Sequence, residues 1–196
     1  MAFMTSLLHR TARFGRDEDA SLSVEMVLIL PLLIWAFLAT FTFFDVYRAK
    51  TLSLKANYAI SDLITRETNE INMQYILGAE KVYEFLTQSE DDSWLRVTQV
   101  HCIKECATNG RKFVVTFSAA TEGQTTYTNS TVMDALNPVL PMLAQGERAV
   151  VVETAMRYMP PVRENLTGIG PREFIDLVVT EPRFAPQICW EGAEYC

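Results

Sequence analysis

The chain has 196 residues, 49 % of them apolar and 21 % charged, which is the length of one ordinary domain with an apolar excess. Its formal net charge of −7 excludes the basic face that phosphate binding requires, so no nucleic-acid partner is expected. Residues 1–20 hold three arginines and three acids, so the acidity belongs to the rest of the chain.

From Met26 to Phe44 the sequence reads MVLILPLLIWAFLATFTFF, 19 residues without a charge. As a helix this run spans about 28 Å, close to the ~30 Å hydrocarbon core of a bilayer. Pro31 is tolerated in such a helix where neighbours re-satisfy the freed carbonyl. Trp35 falls in mid-span, where packing against another helix is expected rather than anchoring at headgroups. A secretory signal peptide would have a shorter apolar region and a small-x-small cleavage site. Here the run ends in Phe43-Phe44-Asp45-Val46-Tyr47, which offers no such site, so a retained transmembrane helix is expected. The soluble alternative is a buried core helix.

Basic residues do not orient this helix, because Arg10, Arg13 and Arg16 precede it while Arg48, Lys50 and Lys55 follow it. The cysteines do. Cys102, Cys106, Cys189 and Cys196 all lie downstream of the run, as expected for two disulfides on an oxidising, periplasmic side with the N-terminus cytoplasmic. Four cysteines allow three pairings. Loop-closure entropy favours the nearest neighbours, Cys102–Cys106 and Cys189–Cys196. Glu25 stands at the edge of the apolar run. It is either a headgroup-level charge helped by the helix N-terminus, or a carboxylate drawn into the bilayer that needs a positive partner.

The residues around it form a pattern. A short basic leader ends in Ala20, followed by Ser21-Leu22-Ser23-Val24-Glu25 and then by Met26-Val27-Leu28-Ile29-Leu30-Pro31-Leu32-Leu33. This resembles the TadE-like minor pilins, or pseudopilins, of the tight-adherence (Tad) pilus system. Val150-Val151-Val152-Glu153 with Tyr158 and Pro160, and Pro182-Arg183-Phe184-Ala185-Pro186, add a weaker likeness. The resemblance implies a leader of residues 1–20, removed between Ala20 and Ser21 by a prepilin peptidase on the cytoplasmic face. Ala20 stands where the family usually has glycine. Glu25 would then be the fifth mature residue, pairing with the α-amino group of Ser21 on a neighbouring subunit, with Pro31 in the same assembly segment. It further implies a transmembrane helix over 21–45, a periplasmic domain over 46–196, and assembly of an adhesive pilus. The implied partners are the inner membrane, the peptidase, other pilin-like subunits and the Tad secretion machinery. An uncleaved single-pass periplasmic scaffold of that machinery is the alternative.

Beyond the apolar run the helix is expected to continue over 45–66, with a stripe at Val46, Ala49, Leu52, Ala56, Ala59, Ile60, Leu63 and Ile64. A second helix is expected from about Asn69 to Leu86, presenting Ile71, Tyr75, Val82 and Phe85, with Gly78 weakening it. The period then changes. Trp94–Val100 alternates, Lys112–Phe117 is β-rich, and Asn109-Gly110 marks a turn between them. Ser130–Gln145 is helical but broken by Pro138 and Pro141 into short pieces. Arg148–Met159 and Glu173–Thr180 read as strands stopped by prolines, with a short loop at Arg163–Pro171. Helices first and strands later give an α+β fold, a long helix continuing into a small pilin-like domain with an antiparallel sheet.

No catalytic constellation is visible, so a non-enzymatic protein without cofactor, metal or small-molecule substrate is expected. His101-Cys102 with Cys106 has the composition of a fragment of a zinc site, but an oxidising compartment favours the disulfide. Glu90-Asp91-Asp92 is a solvated charge run. Asn129-Ser130-Thr131 and Asn165-Leu166-Thr167 match glycosylation sequons of a length that arises by chance.

Overall fold

The computed structural model describes residues 21–89, 93–108, 110–194 and 196. Ala20, the Glu90-Asp91-Asp92 run and Asn109 of the expected turn lie outside the described residues. Helix α1 is Ser21–Thr65, 45 residues with Pro31 inside, so the apolar run and the expected continuation form one element of about 68 Å. The chain divides into two compact units. One holds the helix up to Asp45 with Pro160–Gly170, and the other holds Val46–Met159 with Pro171–Cys196.

Within the second unit, α1 buries a face that is only half as apolar as the sequence stripe implied. Ala56, Ile60 and Ile64 are buried, but Ala59 and Leu63 are exposed. Their expected places are taken by Ser53, Asn57, Ser61 and Thr65, which recur every fourth residue and so share the face with the apolar triplet. Three of them tie this face to neighbouring elements by hydrogen bonds. Ser53 donates to Asp176 Oδ2 (2.6 Å) and meets the Tyr83 hydroxyl (2.8 Å). Asn57 Nδ2 donates to the Val152 carbonyl (3.3 Å), and Ser61 meets Thr180 (2.7 Å). Lys50 completes the row with an ion pair to the buried Asp176 at 2.6 Å.

Helix α2 is Met73–Thr87, capped by Asn72, whose side chain accepts from the Tyr75 N–H (3.0 Å). The expected face was wrong. Ile76, Ala79, Glu80, Tyr83 and Thr87 are buried, whereas Phe85 is 83 % exposed and Val82 faces outward. The helix starts after Asn72, so Ile71 lies outside it, is buried in the same core and forms a parallel bridge with Trp190.

The strands are β1 (Ser93–Lys104), β2 (Lys112–Ala120), β3 (Arg148–Tyr158) and β4 (Arg172–Thr180), antiparallel throughout in the order β2-β1-β3-β4. Val97 stands opposite Ala119 on one side and Val152 on the other, which fixes the register. Thr116 is the extra residue of a bulge, because Gln99 pairs with Phe117 but Val100 pairs with Val115. This is an α+β arrangement of a long apolar helix followed by a four-stranded antiparallel sheet.

Both faces of the sheet are covered. Ile60, Ile64, Ile76 and Tyr83 pack against Leu95, Val97, Val150 and Val152 on the helix side. Leu136, Leu140 and Leu143 pack against Val100, Phe113 and Val151 on the other. Double burial explains why β3 reads as an unbroken valine run instead of alternating. The second layer comes from the proline-broken stretch, where α3 is a single turn, Val132–Leu136. Arg111 staples the loop after it, donating to the carbonyls of Asn137, Leu140 (2.8 Å) and Pro141 (2.7 Å). The Arg163–Pro171 segment, expected as plain loop, contains one helical turn, α4 (Glu164–Thr167). Gly168 ends it at φ 73°, and its N–H donates to the Glu164 carbonyl (2.7 Å).

Glu80 is a buried acid that the sequence did not single out. It is 2 % exposed and accepts from the Thr121 hydroxyl. Burial pushes its carboxyl above the ordinary range, with the charges of Glu84 and Glu122 adding to the rise and the Thr121 hydrogen bond and Lys81 opposing it. The folded state therefore holds the Glu80 proton more tightly than the unfolded chain. Stability is penalised as pH rises through the unfolded value of about 4.3 and the higher folded one. Glu80→Gln is expected to gain stability relative to the parent at pH 7, with the gain shrinking towards pH 4. Denaturant midpoints measured across that range check it, and a gain that grows on acidification would refute the assignment.

Candidate functional site: an uncovered apolar helix

The N-terminal part of α1 is a helix without a core to belong to. Only 6 % of its most apolar 18-residue window is buried. Between Leu22 and Ile34 every large apolar side chain is exposed, from 41 % at Ile29 to 71 % at Val27. A core helix of a soluble domain would show the opposite. By length and composition this one helix is long and apolar enough to cross a membrane.

Glu25 lies in α1, one residue before the uncharged run, and its side chain is exposed. Pro31 lies six residues further on, where its missing N–H leaves the Val27 carbonyl without its helical donor. Ala20, the other half of the expected cleavage site, is outside the described residues.

Trp35 does not simply face outward. Its indole N–H donates to the Leu166 carbonyl at 2.7 Å, in the helical turn α4 between β3 and β4. One face of the following turns is shielded as well: Ala36, Leu38 and Ala39 are half-buried and Thr42 is fully buried. Thr42 donates to its own helix, at the Leu38 carbonyl (2.8 Å). Sequence reasoning missed this loop contact, because nothing local marks a carbonyl 131 positions away.

The cysteines form two disulfides, Cys102–Cys106 with Cα atoms 5.8 Å apart and Cys189–Cys196 at 5.7 Å. The first closes the end of β1, and the second closes a tail held by other ties. Gln99 is buried on the sheet and brackets Ile188, accepting from its N–H (2.7 Å) and donating to its carbonyl (3.3 Å). Trp190 stacks on Phe117 with ring centroids 5.2 Å apart. His101 pairs across the sheet with Arg148. Burial, and then the Arg148 charge, lowers its pKa below the ordinary imidazole value. Among the described residues no group of three or more His, Cys, Asp and Glu side chains could hold a metal ion.

Arg96 and Glu153 form a bidentate, largely buried ion pair. The guanidinium reaches both carboxylate oxygens, at 2.7 and 2.8 Å, and also donates to the Tyr127 hydroxyl and the Thr125 carbonyl. Burial pushes the Arg96 pKa down, but the hydrogen bond and charge of Glu153 outweigh it and hold the guanidinium charged. No family model, curated protein or solved structure matches the chain.

Proposed function

We propose that this chain is a TadE-like minor pilin or pseudopilin that serves assembly of a Tad-type adhesive pilus. The observation that carries the reading is the pairing of an uncovered apolar helix with a carboxylate, Glu25, one residue before its uncharged run. An apolar surface of that length needs lipid or neighbouring helices around it, because monomeric soluble proteins rarely expose such patches. The helix crosses the inner membrane, and the disulfide-bonded domain faces the periplasm. Leader removal between Ala20 and Ser21 leaves the helix in place and frees an α-amino group. Glu25 of one subunit then neutralises that ammonium on the next, which supplies the positive partner an intramembrane carboxylate requires.

Intact mass of the protein extracted from native membranes tests the first step. A chain beginning at Ser21 is expected. Full-length chain alone, in cells with an active prepilin peptidase, would replace this reading with the uncleaved scaffold.

A further inference from the structure

The β3–β4 loop and the lipid compete for the same part of the helix. With Trp35 bonded to Leu166, the helix is uncovered on all sides only over residues 22–34. That length is about 20 Å, roughly 10 Å short of a bilayer's hydrocarbon core. The complete apolar run to Phe44 matches the core, but residues 35–44 are then on the lipid side of the boundary. The loop cannot follow them there. Arg163, Glu164 and Asn165 precede Leu166 and are all exposed, and lipid-exposed irregular backbone and unpaired charges are excluded from hydrocarbon.

We propose that residues 160–170 form a strap. It is released from Trp35 when the helix spans a bilayer of full thickness, and it closes when residues 35–44 leave the lipid. The chemistry favours two states. In water-facing surroundings the strap satisfies the indole N–H with the Leu166 carbonyl, next to the turns where Leu38, Ala39 and Thr42 are shielded. In hydrocarbon the apolar side chains of this stretch need no cover, while the polar strap cannot stay. Pro160-Pro161 at one end and Gly170-Pro171 at the other delimit the segment that would move. The inference rests on the membrane-spanning reading, and it adds a conformation coupled to how deeply the helix sits.

The test uses the full chain reconstituted in phosphatidylcholine vesicles of increasing acyl length. Nitroxide labels are placed at Leu33→Cys and Asn165→Cys, both exposed positions; the native cysteines, being disulfide-bonded, leave only these thiols. Pulsed electron spin resonance should give a short, narrow distance in lipids matching the ~20 Å uncovered stretch. A longer, broad distribution should replace it in lipids with a core of about 30 Å. Adding Trp35→Phe, which deletes the donor, should produce the long distribution even in the thin lipid. A short distance that is unchanged across all thicknesses, in vesicles from which carbonate does not extract the protein, overturns the strap alone. Extraction by carbonate overturns the spanning reading and the strap together.

Discussion

Glu153→Ala is expected to cost the domain about 3–5 kcal/mol of folding stability, the cost of breaking a buried ion pair from one side. Arg96 and Glu153 are only 11 % and 9 % exposed, and the contact is bidentate, the geometry in which a guanidinium and a carboxylate bind most strongly. Without the carboxylate the guanidinium keeps the Tyr127 hydroxyl and the Thr125 carbonyl but loses the only negative charge it touches among its bonded partners. Moving it into water would require breaking its packing over the Tyr127 ring, 4.2 Å from the centroid. The loss is large against the ~5–15 kcal/mol of a typical domain. Replacing both partners together, Arg96→Met with Glu153→Leu, is expected to be far milder than the single change, because no charge is stranded. Guanidinium unfolding curves of the three proteins decide it. A single-variant loss below about 1 kcal/mol would mean that the pair behaves as a surface ion pair.

That pair also shows what the sequence could and could not disclose. The strands were legible because valine runs, alternation and flanking prolines are local signals, and the long helix was legible from an uncharged run followed by a periodic one. The nearest-neighbour cysteine pairing was legible in the same way, from separation alone. The buried face of α2 was not, since Val82 and Phe85 are as apolar as Ile76 and Tyr83 and only packing against Leu95, Val97 and Val152 of the sheet chooses between the two faces. Nor was the polar face of α1: serine and asparagine every fourth residue look like solvent-facing positions until Asp176, Tyr83 and the Val152 carbonyl arrive from distant strands and helices. The second layer on the sheet was hidden because proline-broken sequence gives no periodicity to read. For the candidate site, the run, Glu25 and Pro31 were visible at once. The Trp35–Leu166 contact was not, because tertiary structure alone brings the loop there.

Glu25→Ala is expected to abolish pilus assembly while leaving the protein in the inner membrane at parental level. Two readings of this carboxylate differ in magnitude. A headgroup-level charge helped by the helix dipole is worth about 0.3–1 kcal/mol, and that benefit falls off within the first turn. In a chain cut before Ser21, Glu25 would be the fifth residue, so its dipole share is at the low end and alanine would change little. A carboxylate that neutralises a neighbour's terminal ammonium in a low-dielectric environment is a buried pair, and removing it strands the ammonium at a cost of about 3–5 kcal/mol. At about 1.4 kcal/mol per decade, that weakens lateral association by roughly 10²–10³-fold or more. Insertion survives because the apolar run from Met26 to Phe44 is untouched. The cut also survives, since the change lies five positions past Ala20. Glu25→Gln keeps the shape and a hydrogen-bond acceptor but no charge, and should fail as well if charge neutralisation is the role. Normal piliation and surface adhesion by the Glu25→Ala strain, with the cleaved variant present at parental level in the membrane, would remove Glu25 from the assembly mechanism.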